Sequence, residues 1–412
     1  MTKKVVLVGA LDTKGQDFAY VRDLLKSSGF EVIVVDFGVM GKPFFEPDIT
    51  RAEVAKAGGV SIEELQAKKD KSLAMDTMTK GLKEVVRRLY DEGNLHGILG
   101  MGGSAGTIIA TTAMQALPIG IPKVMVSTVA GGDVSRYVGI KDIVMFPSIV
   151  DVAGLNRISR AIYKNAVGAL AGMLEHGAYE EMLKEPEKPV IVISMFGNTT
   201  PCVEKVKELL GDRFEILVFH ATGTGGRTME MLIDQGLVSA VADITTTELA
   251  DEIGGGVLSA GKDRLFAAAR RGIPAVLVPG CVDMINFWAK DTVPEKYRGR
   301  KIYEWNPNVT LVRTNVEENK AIGEWIARAA NESKGPVAVL IPLKGVSMLD
   351  SPGQAFWDPE ADRACFDSIK ANLRPGIPVY ELDNNINDPE FAQKVVEVLL
   401  DLMERAKGGS FI

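Results

Sequence analysis

Short apolar runs rich in β-branched residues recur along the whole chain, each separated from the next by a helical pattern. VVLVGA, FEVIVVDF, GILGM, KVMVST and IVMFPS form a first set. PVIVISMF, FEILVFHA, SAVADI, AVLVPG, VTLVRT, VAVLIP and PVYELD form a second. Runs that are apolar at consecutive positions belong to strands buried on both faces, and the helices between them are the crossovers that parallel strands require. The helix after DTKG puts Phe18, Val21, Leu24 and Leu25 on one side and stops at Ser28-Gly29. The pattern predicts an α/β chain of two Rossmann-like, doubly wound parallel-sheet domains.

A chain of 412 residues has room for more than one such domain. Charge and two prolines replace the helical pattern at EMLKEPEKPV (181–190), which sets the expected domains at 1–183 and 184–412. VVLVGALDTKG with GFEVIVVDFG is echoed by VIVISMFGNTT with RFEILVFHATG, and IGIPKVMVST by RGIPAVLVPG. The helix after IVMFPS is echoed by the one after VTLVRT. These echoes suggest internal duplication, although every doubly wound fold shares the rhythm. The first half also carries an insertion, about 40–80, rich in Lys, Glu and Asp. It is expected to be a solvated helical arm or flap rather than a lid.

Composition narrows the function classes. Lys+Arg 47 against Asp+Glu 54 gives a net charge of −7, so no positive field favours a nucleic-acid backbone. Cys202, Cys281 and Cys365 are odd in number and widely spaced, and only three histidines are present. That argues against a disulfide framework or a structural zinc site. MTKKVVLVGALD has too short an apolar run for a signal peptide and reads as a first strand, and no run reaches membrane length. The expectation is a cytoplasmic protein with neither nucleic-acid nor membrane partners.

Ligands of open α/β sheets bind beyond the carboxyl ends of the strands. In the first half those ends carry ALDTKG (10–15), GMGGSAGT (100–107) and STVAGGD (127–133). A Gly-rich strand-to-helix turn exposes backbone N–H groups at the positive end of a helix, which suits a phosphate or carboxylate. Close helix–sheet packing is the alternative reason for such glycines. Lys14 offers a point charge, and Asp12 a carboxylate for Mg²⁺. The candidate nucleotide set is Asp12, Thr13, Lys14, Gly102, Gly103, Ser104, Gly106, Thr107, Ser127, Thr128 and Gly131, with Asp12 also the candidate metal ligand. GMGGSA fits a loose GxGxxA, but it follows the third strand and no acidic residue lies about twenty positions on. GVLSAGKD (256–263) departs from a Walker A loop at Asp263 and lacks a preceding apolar strand, so both motifs are set aside.

The second half has different chemistry at its strand ends: HATGTGGRTME (220–230), ADITTTELADEIGGG (242–256) and VPGCVDMINFW (278–288). Thr222, Gly223, Gly225, Gly226, Arg227 and Glu230 are candidates for a substrate anion, and His220, Glu248 and Asp283 for proton transfer. Cys281 reads as a small buried residue rather than a nucleophile. KGVSMLDSPGQAFWDPEA (344–361) reads as an ordered loop closing over this site, with Lys344 and Asp350 as further candidates.

DTKG, GMGGSAGT, LPIGIPKVMVSTVAGGD, HATGTGGRTMEMLI, ADITTTELAD, DMINF and INDPEFA together resemble the ATP-binding family of the tomato mosaic virus resistance protein, across both halves. The resemblance implies two Rossmann-like domains, ATP in the N-terminal one and a homodimer. It makes GILGMGGSAGT a nucleotide phosphate cradle working with Asp12, Thr13, Lys14, Ser127 and Thr128. The plant member carries a further TIM-barrel domain beyond this region and acts by binding a viral replication protein. The expected function is Mg²⁺-dependent ATP binding, with slow hydrolysis as an extension. Two alternatives stay open. One is a metabolic enzyme acting on a small phosphorylated or carboxylated compound between the domains; the other is a module that sequesters a protein partner.

Overall fold

Alternating side chains on buried strands send their apolar groups to opposite faces, and each face here finds its own layer of helices. The computed structural model describes residues 2–408 apart from 178, 183 and 185–187. The chain divides into two compact units, Met1–Glu185 and Pro186–Ile412. Residue 183, on which the expected boundary falls, lies outside the described residues.

In unit 1, β1 (Lys4–Gly9), β2 (Glu31–Asp36), β3 (Gly97–Gly102), β4 (Lys123–Ser127) and β5 (Ile143–Pro147) form one sheet in the order β2-β1-β3-β4-β5. Every pairing is parallel. Val5 and Leu7 of β1 pack with Phe18, Val21 and Leu25 of the helix Leu11–Ser27 and with Tyr163, Val167 and Leu170 of the helix Arg157–His176. Val6 and Val8 pack on the other face, with Leu82 and Val85 of the helix Lys71–Asp91 and Ile109 and Ala113 of the helix Ser104–Gln115. Each such side chain contributes about 1.5–3 kcal/mol when fully buried, so the two-sided pattern is what holds a parallel sheet between helices.

The charged insertion is not a solvated arm. Its helices Arg51–Ala57 and Ile62–Lys68 bury Val54, Ala55, Ile62 and Leu65 in the same layer. A Thr50–Glu53 capping box starts the first of them. A Cβ on Gly81 would sit 1.9 Å from the Val54 carbonyl oxygen, so the insertion meets the helix Lys71–Asp91 at near backbone contact. The charges that dominate its composition occupy the outer face of an amphipathic pair.

Unit 2 repeats the winding with one more strand. β6 (Val190–Met195), β7 (Glu215–His220), β8 (Ala240–Thr245), β9 (Ala275–Gly280), β13 (Val337–Pro342) and β14 (Val379–Leu382) are ordered β14-β13-β9-β8-β6-β7, all parallel. Between β9 and β13 the chain inserts β10 (Met284–Phe287), β11 (Ile302–Asn306) and β12 (Val309–Arg313), an antiparallel sheet ordered β10-β12-β11. VTLVRT therefore leaves the parallel sheet, and the place beside β9 that corresponds to β5 belongs to VAVLIP. Apolar composition alone does not separate a strand buried between helices from one that a meander buries. The fold is α/β with two Rossmann-like units, and the strand order reverses between β1 and β3 in one and between β6 and β8 in the other.

Leu65→Ala should destabilise unit 1 by about 2–5 kcal/mol in urea or thermal unfolding, the cost of emptying a packed core site. A change within about 0.5 kcal/mol, as for an exposed arm, would contradict this packing.

Candidate functional site

The reversal between β1 and β3 opens a crevice of about 470 Å³ in unit 1, lined by Asp12, Thr13, Lys14, Lys71, Gly102, Gly103, Ser104 and Gly106, with Phe37 and Met40 opposite. The helix Ser104–Gln115 begins there, and no side chain caps it. Its first N–H groups lack intrahelical partners, as in any helix. A Cβ on Gly103 or Gly106 would meet no protein atom closer than 3.7 Å, so protein packing does not require glycine at either position. Thr128 Oγ1 is the nearest atom to that Gly103 position, whereas Gly131 is exposed in the next turn and does not line the crevice.

Two expected contacts turn inward. Thr107 and Ser127 are fully buried and share a hydroxyl–hydroxyl hydrogen bond of 2.6 Å. Thr107 also donates to the Gly103 carbonyl, and Ser127 accepts from the Val129 N–H. They brace the end of β4 against the helix beneath the crevice and do not reach into it. Lys14 Nζ donates to the Val152 carbonyl and lies 3.9 Å from Asp151. Asp12 Oδ2 accepts from the N–H groups of Met40 and Gly41, at 3.1 Å each.

Two residues of this region, Lys71 and Asp36, escape a reading of the sequence. Lys71 hides in a run of charges, and only the start of the helix Lys71–Asp91 brings it to the crevice. Asp36 is fully buried at the end of β2, where its Oδ1 accepts from Leu11 N (3.0 Å) and Gly38 N (2.8 Å) and pins both turns. Burial, offset in part by these N–H bonds, raises its pKa above the ordinary carboxylate value. A second, apolar cavity of about 310 Å³ adjoins the crevice, walled by Leu65, Ala74, Met75 and Met78. It shares Phe37, Val39, Met40, Lys71 and Ile109 with the crevice.

In unit 2 the expected substrate and catalytic residues separate into three places. His220, Thr222, Gly223 and Arg227 line a cleft of about 590 Å³ with Phe196, Asn198, Trp288 and Trp305. His220 stacks on Phe196, with ring centroids 5.2 Å apart, and burial lowers its pKa. Glu248 and Glu230 lie below, around a residue that no motif singles out. Arg264 is 1% exposed, and its guanidinium donates to Asp243 at 2.5 and 2.6 Å, to Glu248 at 2.6 Å and to Glu230 at 3.1 Å. The other Glu248 oxygen accepts from Gly223 N (2.7 Å) and Gly226 N (3.0 Å). Glu230 accepts from Leu265 N and Ala267 N, both at 2.7 Å; burial, partly countered by Arg264, raises its pKa.

Glu248 and Glu230 are thus each engaged by Arg264 on one side and by backbone N–H groups on the other. The glycines follow from the same contacts. A Cβ on Gly226 would lie 2.1 Å from Glu248 Oε2, and one on Gly225 would lie 1.8 Å from the His220 carbonyl oxygen. Close packing, the alternative reading of a Gly-rich turn, accounts for these two.

Asp283 belongs to a third place. It is fully buried and accepts from Ser347 Oγ at 2.8 Å, near Asp350 and Asp362 around Arg313. Burial, then the Asp350 carboxylate, holds its pKa well above the ordinary range. Asp350 is buried in the same cluster, and Lys344 pairs with Asp383 at 2.7 Å. No residue of 344–361 lines the cleft, but Leu349 and Phe356 of that loop pack with its lining residues Phe196, Leu258 and Leu311. Cys281 is fully buried, and burial raises its thiol pKa well above the ordinary value.

Comparison with known proteins follows this division of the chain. The Uncharacterised protein family (UPF0261) N-terminal domain matches residues 3–178, and the UPF0261 C-terminal domain matches residues 188–403. The chain belongs to the UPF0261 family. A UPF0261 protein of Clostridium tetani is 48% identical over 98% of this chain and 100% of its own length. The ToMV resistance protein Tm-1(GCR237) of Solanum lycopersicum is 43% identical over 82% of this chain and 45% of its own length. Among solved structures, UDP-N-acetylglucosamine 2-epimerase from Rickettsia bellii aligns over 98% of each chain at 12% identity, with a TM-score of 0.25. Among the described residues of this UPF0261 chain, no helix is long and apolar enough to cross a membrane.

Arg264→Leu should cost about 3–5 kcal/mol at neutral pH, because it leaves buried carboxylates uncompensated. The Glu230 carboxyl, already raised by burial, then rises further above its unfolded value. The variant should be most stable in acid and lose stability as pH rises through that raised value, which unfolding curves across pH 5–8 will read.

Proposed function

We propose that this protein binds ATP with Mg²⁺ in unit 1. The observation that carries the reading is the pair of crevice glycines, Gly103 and Gly106, at which a Cβ would meet no protein atom closer than 3.7 Å. Their missing side chains leave an uncapped helix N-terminus open to an anion. In this reading the phosphates lie on the Gly103–Gly106 backbone, with Ser104, Thr13 and Thr128 as hydroxyl donors. Lys14 and Lys71 supply the cationic side chains.

The adjoining apolar cavity suits the base, since a nucleotide needs an anion cradle and a dry pocket side by side, and Phe37, Val39 and Ile109 wall both. Asp12 fits Mg²⁺ as a single carboxylate sharing the ion with phosphate oxygens and water. Its Oδ2 holds the 40–41 turn, while its Oδ1 has no protein hydrogen bond among the described residues. Bound Mg²⁺ would neutralise phosphate charge. Asp12 would place it, and the apolar wall would exclude water from the base. The sequence resemblance favours ATP over other anions, and the same reading includes a cytoplasmic homodimer.

A thermal-shift titration tests this. ATP with Mg²⁺ at a hundred times its dissociation constant should add about 2.7 kcal/mol to native stability. Lys71→Ala should weaken binding about tenfold. Gly106→Ala should leave the unliganded protein at least as stable, by up to about 1 kcal/mol from helix propensity, while weakening ATP binding. Unchanged ATP affinity in both variants, or no shift with any adenine nucleotide, would refute the site.

A further inference from the structure

We propose that the cleft of unit 2 is a second ligand site, for a small anion built on one ring: a phosphate or carboxylate carried by an aromatic or sugar ring. Three features converge on it. No Asp or Glu lines the cleft, and Arg227 is its lining Lys or Arg. The Arg227 guanidinium donates only Nε to the Gly223 carbonyl (3.3 Å), so among the described residues its two terminal nitrogens have no protein acceptor.

The helix Thr224–Asp234 starts at the cleft wall, and Glu248 takes the N–H groups of Gly223 and Gly226. That of Thr224, which lines the cleft with Arg227, remains for a ligand. Arg264 pairs with Glu248 from below.

The walls define the rest of the ligand. Trp288 and Trp305 are 52% and 44% exposed where they line the cleft, and the stacked Phe196–His220 pair lines it too. Large aromatic faces left open inside a concave site are platforms for a ring. Asn198, almost wholly buried, also lines the cleft. A bare anion would use Arg227 and leave the tryptophans idle; a neutral ring would do the reverse.

All four tryptophans lie at 288, 305, 325 and 357, so their fluorescence reports on unit 2. The full chain is titrated with phenyl phosphate and glucose 6-phosphate, and with phenol, glucose and inorganic phosphate as partial ligands. One ring phosphate should bind at least about tenfold tighter than every partial ligand. Whichever ring phosphate prevails assigns the ring as aromatic or sugar. Arg227→Ala and Trp305→Ala should each weaken it about tenfold or more while melting like the wild type, since both side chains are exposed. The proposal is overturned by no saturable signal up to about 10 mM, by binding that survives Arg227→Ala, or by inorganic phosphate or a neutral ring binding as tightly.

Discussion

Unit 2 is organised around one buried cation. The Arg264 guanidinium joins Asp243 on β8, Glu230 on the helix Thr224–Asp234 and Glu248 on the helix Thr247–Gly254. An ion cluster of this kind is a poor source of net stability, because desolvation offsets much of the attraction. Its effect is geometric. A planar fork with fixed donor directions accepts its carboxylates in one arrangement, so a strand and two helices are held in register. Glu248 passes that constraint upward through two N–H bonds to the glycine turn that walls the cleft.

The two units share a strand order and use it in opposite ways. Both reverse direction beside their first strand, where a doubly wound sheet leaves a crevice. In unit 1 the helix after β3 starts without a side-chain cap, and its glycines have space around them. In unit 2 the helix after β7 starts on a carboxylate supplied from within, and its glycines are there because Glu248 and the His220 carbonyl crowd them. Similar Gly-rich turns thus carry two meanings: exposed backbone in one case, close packing in the other. What distinguishes them is the space the folded chain leaves where each glycine would carry a Cβ.

Much of the crevice in unit 1 is legible in the amino-acid sequence. Asp12, Lys14 and the Gly102–Gly106 turn lie at strand ends, and the strand-end rule depends only on residue pattern and the handedness of crossovers. Lys71 is not legible, because a lysine among lysines carries no positional signal until its helix is docked. Thr107 and Ser127 mislead for a related reason: a hydroxyl next to a cradle in sequence faces either the ligand or the core, according to helix phase. In unit 2, DRLFAAARR reads as a helix behind a Gly-rich loop. Leu265 instead adopts a φ of +81°, and the helix starts only at Phe266, with Arg264 directed into the core.

Fold class, parallel winding and most strand positions follow from runs of apolar residues and their spacing, which are local and readable along the chain. The division of charged residues into functional and structural ones is not local, and it emerges only from packing. Packing gives Glu230, Glu248 and Asp283 buried partners, draws the charged insertion into a core and brings two tryptophans and Arg227 to one cleft. Burial and partnership are long-range properties. A carboxylate is a base, a cap or half of an ion pair according to what the rest of the chain places within about 3 Å of it.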